Sequence, residues 1–158
     1  MQFSSKEDID APLEQVFAAL SQFDTMERTA LSRGIEVDRL HESETPQPGM
    51  AWLARFTMRS KPREVHIVLD AYDPPNMMLF TSGAQGLSGR MSLELMAMSA
   101  RRTRMSVVLN LSPSTLSARL IIQSLKLAKT GLSKRFKLKV ADFARGLEGR
   151  LQDAPDPR

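Results

Sequence analysis

Side chains suited to acid–base or metal chemistry are few in this sequence. It has no cysteine and only two histidines, His41 and His66. Without cysteine there is no disulfide, no thiolate metal site and no cysteine nucleophile. Alternation places His66 on the outer face of a strand, opposite Val65 and Ile67, and His41 lies beside a polar turn. Neither histidine has a second ligand at metal-binding spacing, so we predict no metal site and expect no cofactor.

A glycine-rich segment over 83–89 superficially resembles a phosphate-binding loop. It lacks the lysine that follows in such loops, and it precedes a strand instead of a helix. We therefore interpret the segment as a flexible connection at the rim of a cavity. Gln85 and Ser88 would be its polar contacts with a ligand.

Charged side chains on the strand segments offer no acid–base pair that points inward. Arg55 and Arg59 lie opposite Glu64 and His66 across a predicted hairpin, and charge pairing on the wet face of a sheet explains them. Acid–base catalysis would need Arg55, His66 or Glu94 to point inward, where an acid and a base could act together. The catalytic residues therefore stay unknown, and the pattern favours a protein that is not an enzyme.

The hydrophobic periodicity defines the elements at the start of the chain. A strand over 2–10 is followed by a short helix over 12–21, with Asp10 as its predicted N-cap. A second short helix over 25–32 follows, with Asp24 as its predicted N-cap.

Six strand segments come next, in which apolar and polar residues alternate. Short turns join them, and parallel strands would need long crossovers, so the segments indicate an antiparallel meander. One apolar and one polar face are typical of a half-buried sheet. Another element must therefore cover the apolar face.

That element is predicted to be an amphipathic helix over 113–151, capped by Ser112 or Ser114. At ~1.5 Å per residue the helix would be roughly 57 Å long, whereas a typical strand extends ~20 Å. We therefore expect a bend or break near Thr130–Gly131. The fold class is α+β: a curved antiparallel sheet of about seven strands wrapped around a long C-terminal helix, with two short helices after the first strand.

Size and composition indicate one globular domain. The chain has 158 residues, of which 42% are hydrophobic and 25% charged, enough for a buried core. We predict a single domain over 1–151 and a flexible tail over 152–158. There is no apolar signal core at the N-terminus and no apolar run of ~18 residues, so we expect a cytoplasmic protein.

The net charge of +4 is concentrated on the predicted C-terminal helix. A solvated basic face is the simplest interpretation, and weak contact with an anionic membrane surface is an alternative. We expect no nucleic acid partner, because the helix surface lacks the aromatic side chains that stack on bases. Assembly into a homodimer is an alternative to a monomeric state.

Two motifs resemble the START-like (SRPBCC) superfamily, which includes polyketide cyclase/dehydrase and lipid-transport-like proteins. The segment IDAPLEQVFAAL, from Ile9 to Leu20, resembles the frequent opening apolar-x-Ala-Pro-x-x-x-Val-Phe. YDPPN, from Tyr72 to Asn76, is similar to a tyrosine–proline turn between two central strands, and the long closing helix matches too. The resemblance implies a helix-grip fold with a cavity between sheet and helix. Its members bind lipids, sterols, quinones or polyketides, and some catalyse cyclisation or dehydration.

The inward faces of the predicted strands and helix supply the candidate ligand-binding residues. Alternation alone does not distinguish a cavity from a packed core, but the ten methionines favour an adaptable pocket. The predicted ligand-binding residues are Trp52, Phe56, Met58, Val65, Ile67, Met91, Leu93, Met105, Val107, Leu125, Leu132 and Phe136.

The leading hypothesis is binding of a hydrophobic small-molecule ligand, apolar or amphipathic, such as a lipid, a quinone or a polyketide-like compound. The cavity would lie between the sheet and the C-terminal helix. One alternative is a polyketide cyclase or dehydratase. A further alternative is a peripheral membrane or protein interaction module that uses the basic helix.

Overall fold

Seven strands and four helices make up the computed structural model, which describes residues 1–41, 45–58 and 60–153. The strands are β1 (Gln2–Ile9), β2 (Glu36–Arg39), β3 (Ala51–Met58), β4 (Lys61–Asp73), β5 (Met77–Ala84), β6 (Leu87–Ser99) and β7 (Arg102–Pro113). The helices are α1 (Leu13–Leu20), α2 (Phe23–Ser32), α3 (Leu116–Leu127) and α4 (Lys129–Asp153).

The strands form one antiparallel sheet with the order β1-β7-β6-β5-β4-β3-β2. Strands β2 to β7 are neighbours in chain order, which confirms the predicted meander, and β1 pairs with β7 at the far edge. A register shift between Leu69 and Ala71 interrupts β4. Such a bulge increases local twist and bends the strand, so the sheet curves where it must enclose the helices.

Both predicted caps of the short helices are wrong. The N-cap positions are Pro12 for α1 and Gln22 for α2, and neither side chain makes a capping hydrogen bond. Asp10 and Asp24 instead form ion pairs with arginines of β7 and β2. The local sequence pattern assigned these two carboxylates to helix N-termini. Each of them instead pairs with an arginine on a strand.

The predicted break of the C-terminal helix is confirmed, and it lies two residues before Thr130. The break lies at Ala128, between α3 and α4, and the helix is continuous through Thr130–Gly131. The two segments take different partners, because α3 packs against β7 whereas α4 packs against β1 and α1. The helix is thus interrupted where its packing partner changes, and not at Gly131.

The ends of this helical region also differ from the prediction. Thr115 caps α3, since its Oγ1 accepts from the Ala118 N–H at 3.1 Å. The predicted cap Ser112 lies in β7, and Ser114 instead donates to the carbonyl oxygen of Gly86 at 2.8 Å. α4 runs to Asp153, and the rest of the predicted tail, 154–158, lies outside the described residues.

The core lies where α1 and α4 meet the sheet. Val140, Ala144 and Leu147 form the buried stripe of α4, at the spacing that puts residues on one helix face. They join a cluster that contains Ile9 and Met105. Across the described residues, no helix is long and apolar enough to span a membrane, and no group of three His, Asp or Glu side chains could hold a metal ion.

Replacing Leu147 with alanine should destabilise the protein strongly. Leu147 has no exposed surface, so Leu147→Ala leaves a cavity and should lower the free energy of unfolding by about 2–5 kcal/mol. Leu138→Ala on the same helix is the matched control, because Leu138 is 62% exposed, and it should change this energy by less than about 0.5 kcal/mol. Urea denaturation measures both. Equal losses would contradict the packing described for α4.

Removal of the Asp8 carboxylate should weaken the acid dependence of stability. A hydrogen bond from Arg104, 2.9 Å away across β1 and β7, lowers the pKa of Asp8. A lowered folded-state pKa gives stability that is present above the unfolded value of ~3.9 and is lost as pH falls through the folded value. Asp8→Asn should therefore unfold with a flatter pH profile below about pH 4.

Urea midpoints at neutral pH and at several acidic values provide this measurement. Asp142→Asn is the matched control, because Asp142 forms an exposed pair with Arg145 within one turn of α4. An unchanged profile in Asp8→Asn would contradict the role of the Asp8–Arg104 pair.

Candidate functional site

A cavity of about 410 Å³ lies between the sheet and helix α2. The sheet provides the floor, and α2 with the end of α1 provides the facing wall. Only one residue of α4 and none of α3 lines it. The lining residues are Leu20, Phe23, Met26, Glu27, Val37, Trp52, Val65, Ile67, Phe80, Ser82, Met91, Leu93, Leu109 and Phe143.

Five of the predicted ligand-binding residues lie together in this lining: Trp52, Val65, Ile67, Met91 and Leu93. All of them project from the inner face of β3, β4 or β6. Strand alternation places them there, because residues two apart share a face. These five predicted residues therefore share the floor of the cavity, and their contact with a ligand stays a prediction.

The other strand positions predicted as ligand contacts lie elsewhere. Met105 and Val107 are fully or nearly fully buried in the core. Phe56 is half-buried and pairs with Arg63, and Met58 is exposed at the end of β3. These four face the expected side of the sheet, but the cavity does not reach them.

The predicted helical contacts do not line the cavity either. Leu125 of α3 and Leu132 of α4 are half-buried, and the ring of Phe136 packs on Phe3 with centroids 5.8 Å apart. The reason is the direction of α4, which covers β1 and α1 instead of the middle strands. Phe143, about two turns beyond Phe136, is the residue of α4 that reaches the cavity.

Sequence reasoning missed the wall that α2 provides. Phe23, Met26 and Glu27 line the cavity at i, i+3 and i+4, the spacing of one helix face. Phe23 contacts Trp52 and Phe80, with ring centroids 5.2 Å and 6.3 Å away. The i, i+3 pair of apolar residues was the available signal, and it was weak because α2 is short and otherwise polar.

The carboxylate of Glu27 joins α2 to the edge of the sheet. Its Oε1 accepts from Arg39 Nε at 2.9 Å, from Arg39 Nη2 at 2.6 Å and from Trp52 Nε1 at 3.0 Å. Arg39 also donates to Asp24 at 2.8 Å. These hydrogen bonds, that of Glu27 foremost, raise the pKa of Arg39 above its usual value. Arg39 and Trp52 are partners in the β2–β3 register, so adjacent strands present both donors to one oxygen.

The outer face carries the charged groups that the strand pattern assigned to it. Arg55 donates to Asp38 at 2.6 Å and lies 3.4 Å from Glu64, which confirms cross-strand pairing. The hydrogen bond to Asp38 is the largest cause of a raised pKa at Arg55. His66 and Glu94 are exposed and do not line the cavity. Arg59 lies outside the described residues, and so nothing follows about its predicted pairing.

The glycine-rich segment is not the flexible rim that its sequence suggested. β5 continues to Ala84 and β6 begins at Leu87, so the connection is a two-residue turn. Gln85 and Gly86 have positive φ angles of 48° and 80°, as in the tight turns that match the twist of paired strands. Neither Gln85 nor Ser88 lines the cavity.

Arg63 is a cation on the inner side of β4. It shares the parity of Val65 and Ile67, and its Nη1 donates to Gln85 Oε1 at 3.3 Å. Its Nε is buried, and no described residue accepts from it. The guanidinium does not line the cavity, but it extends the same face of the strand.

Solved structures share this fold at low sequence identity. Protein TTHA0849 from Thermus thermophilus is 14% identical with a TM-score of 0.68, over 99% of this chain and 100% of that one. The Zhui aromatase/cyclase from a Streptomyces species is 12% identical with a TM-score of 0.67, over 98% and 96%. A START superfamily protein from Mycobacterium smegmatis is 11% identical with a TM-score of 0.56, over 85% and 95%.

The helix-grip architecture predicted from the sequence motifs is therefore confirmed. Comparison with curated proteins finds no match. The family model described as "Polyketide cyclase / dehydrase and lipid transport" matches residues 1–148. With that match over nearly the whole chain, the chain belongs to the polyketide cyclase / dehydrase and lipid transport family.

Proposed function

We propose that this protein binds a hydrophobic small molecule, such as a lipid, a quinone or a polyketide-like compound, in the cavity beneath α2. The observation that supports the proposal is the unfilled volume of about 410 Å³. Ligand pockets typically measure ~300–1,000 Å³ and are mostly apolar. Protein interiors are ordinarily close-packed. An unfilled cavity of this size between sheet and helix therefore favours a bound ligand.

Burial would supply the binding energy. Each Å² of apolar ligand surface removed from water contributes ~25 cal/mol. Of the fourteen described residues that line the cavity, twelve are apolar or aromatic, and the others are Glu27 and Ser82. Affinity would therefore follow the fit of an apolar body, and the two polar groups would select its orientation.

A cyclase or dehydratase activity has less support than simple binding. Acid–base catalysis requires a group that can exchange a proton with the bound substrate. Neither histidine lines the cavity, and the Glu27 carboxylate already accepts three hydrogen bonds on one oxygen. We therefore favour a carrier or binding protein. The lack of cysteine suits a reducing compartment, and we place the protein in the cytoplasm.

A second function, docking on an anionic membrane, is supported by an exposed apolar stripe on α3. Leu116, Leu120 and Leu127 are 74%, 59% and 92% exposed, and at about 100° per residue they lie within about 40° of one another around the axis. Ala118 and Ile122 lie on the opposite side and are buried. The outward stripe is therefore not needed to hold α3 in place.

The charge around this stripe favours lipid over a second copy of the chain. Residues 113–141 contain seven cations and no Asp or Glu. Basic residues flanking exposed leucines match an anionic bilayer surface, whereas two such faces would repel each other in a homodimer. The seven exposed cations are Arg119, Lys126, Lys129, Lys134, Arg135, Lys137 and Lys139.

Ligand binding can be measured through the single tryptophan, because Trp52 lines the cavity. The neutral dye N-phenyl-1-naphthylamine should bind, accept energy from Trp52 and raise the thermal midpoint. Val65→Phe places a ring in the cavity and should weaken dye binding at least about tenfold. Val68→Phe, on the opposite face of β4, should bind the dye like the wild type. Absence of dye binding to the wild-type protein would overturn the proposal.

Membrane docking can be measured by sedimentation with phosphatidylglycerol vesicles, using phosphatidylcholine vesicles as the uncharged comparison. Wild-type protein should bind the anionic vesicles, and binding should fall as salt screens the cations. The triple variant Leu116→Ser, Leu120→Ser, Leu127→Ser should lose most of this binding. Leu31→Ser is the control, because Leu31 is an exposed leucine of α2. Equal binding by the triple variant would refute docking through α3, and dimer loss in that variant would indicate a second copy instead.

A further inference from the structure

We infer that Glu27 is the specificity-determining residue of the cavity and that it holds a hydrogen-bond donor at the polar end of the ligand. The ligand class is then an amphiphile that ends in a hydroxyl or ammonium group, and not in a carboxylate. This inference rests on the proposed binding function and adds to it the chemistry of the polar end.

The position of Glu27 in the lining carries the first step. It is the one charged side chain among the described residues that line the cavity. Around it lie Met26, Phe23 and Trp52, which offer apolar surface. A ligand that fills this space with its hydrocarbon part must bring its polar end to the carboxylate or leave a polar group without a partner, which costs binding energy.

The hydrogen bonds that the Glu27 carboxylate accepts from Arg39 and Trp52 are concentrated on one oxygen. All three bonds that Arg39 and Trp52 donate end on Oε1, and a carboxylate offers about four lone-pair sites over two oxygens. They therefore leave the lone pairs of Oε2 for another donor. They also hold the carboxylate in one orientation, so a ligand does not have to order it on binding.

A purely structural role for Glu27 explains less. Asp24, on the same helix, pairs with the same arginine at 2.8 Å but does not line the cavity. Attachment of α2 to β2 could thus be achieved from the surface by Asp24. The second anchor, Glu27, places a carboxylate against apolar side chains, and the donors of Arg39 and Trp52 meet only one of its two oxygens.

The sign of the charge decides between ligand classes. A ligand carboxylate beside Glu27 would meet a like charge in a partly dry site, where repulsion is stronger than in water. Arg39 is already shared between Asp24 and Glu27, so it does not offset this repulsion. The whole chain carries a net charge of +4, and long-range attraction alone would favour the anion. If the protein binds an amine or an alcohol more tightly than a carboxylate despite this net charge, the preference must come from the local effect of Glu27.

Displacement of N-phenyl-1-naphthylamine by three ligands of equal chain length tests the inference: 1-decanol, decylamine and decanoate. At neutral pH, decylamine and decanol should each displace the dye from the wild-type protein at least about tenfold more effectively than decanoate. In Glu27→Gln, which keeps the size and an accepting oxygen, the ratio between decylamine and decanoate should fall at least tenfold. The ratio compares two ligands in the same variant, so a change in affinity for the dye itself cancels from it.

Asp24→Asn is the matched control, since it removes the other carboxylate of the Arg39 pair outside the cavity, and it should keep the wild-type order of the three ligands. Dye binding with equal displacement by decylamine and decanoate would overturn the inference while leaving the binding function intact. Preferential displacement by decanoate would also overturn it, because the Glu27 carboxylate should repel that ligand. An unchanged ratio in Glu27→Gln would show that the carboxylate does not select the ligand.

Discussion

The apolar inner face of the sheet is wider than the helices that cover it, and the rest of the structure depends on this mismatch. α4 packs against β1 and α1, and α3 packs against β7, so the middle strands face α2 across a gap. α2 has only ten residues, about 15 Å at the usual rise. It cannot fill the width of β3 to β6. The cavity follows from this shortage of covering surface, not from any single large side chain.

Such a gap persists only if α2 is fixed over one edge of the sheet and does not move down onto its middle strands. The carboxylate of Glu27 bonds to Arg39 and Trp52 on adjacent strands, and the rings of Phe23 and Trp52 pack at an angle of 72°. One side of α2 is thus fixed on the β2–β3 edge. Its other side faces empty volume, because no described residue of α3 and only Phe143 of α4 reaches the lining. The polar contacts at the β2–β3 edge thus hold α2 in place, and the cavity lies beneath the rest of the helix.

Strand alternation allowed much of the fold and the cavity floor to be predicted from the sequence. A period of two is local and strict, so Val65, Ile67 and Leu93 could be assigned to the inner face without knowledge of their neighbours. Which inner residues would be covered could not be assigned in the same way. Met105 and Val107 have the same pattern as Leu93, yet they lie in the core where α1 and α4 cover them.

The helices show why the remaining predictions failed. Asp10 and Asp24 have the residue type and position of caps, but arginines on other elements compete for their carboxylates. The break at Ala128 follows from the two different strands that α3 and α4 contact, and helix propensity at Gly131 did not decide it. In both cases a contact distant in the sequence outweighed a local preference worth about 1 kcal/mol.

The fold alone does not separate a carrier from a catalyst. The Zhui aromatase/cyclase shares the architecture of this chain at 12% identity, and function depends on the side chains that a fold presents. Within the described part of this chain, the lining contains one carboxylate, one hydroxyl and otherwise hydrocarbon or aromatic surface. A carboxylate that is already held by a guanidinium and an indole N–H has a fixed orientation, which suits it to orient a hydrogen-bond donor of a ligand. The same hydrogen bonds that attach α2 to the sheet therefore also position the polar group of the cavity.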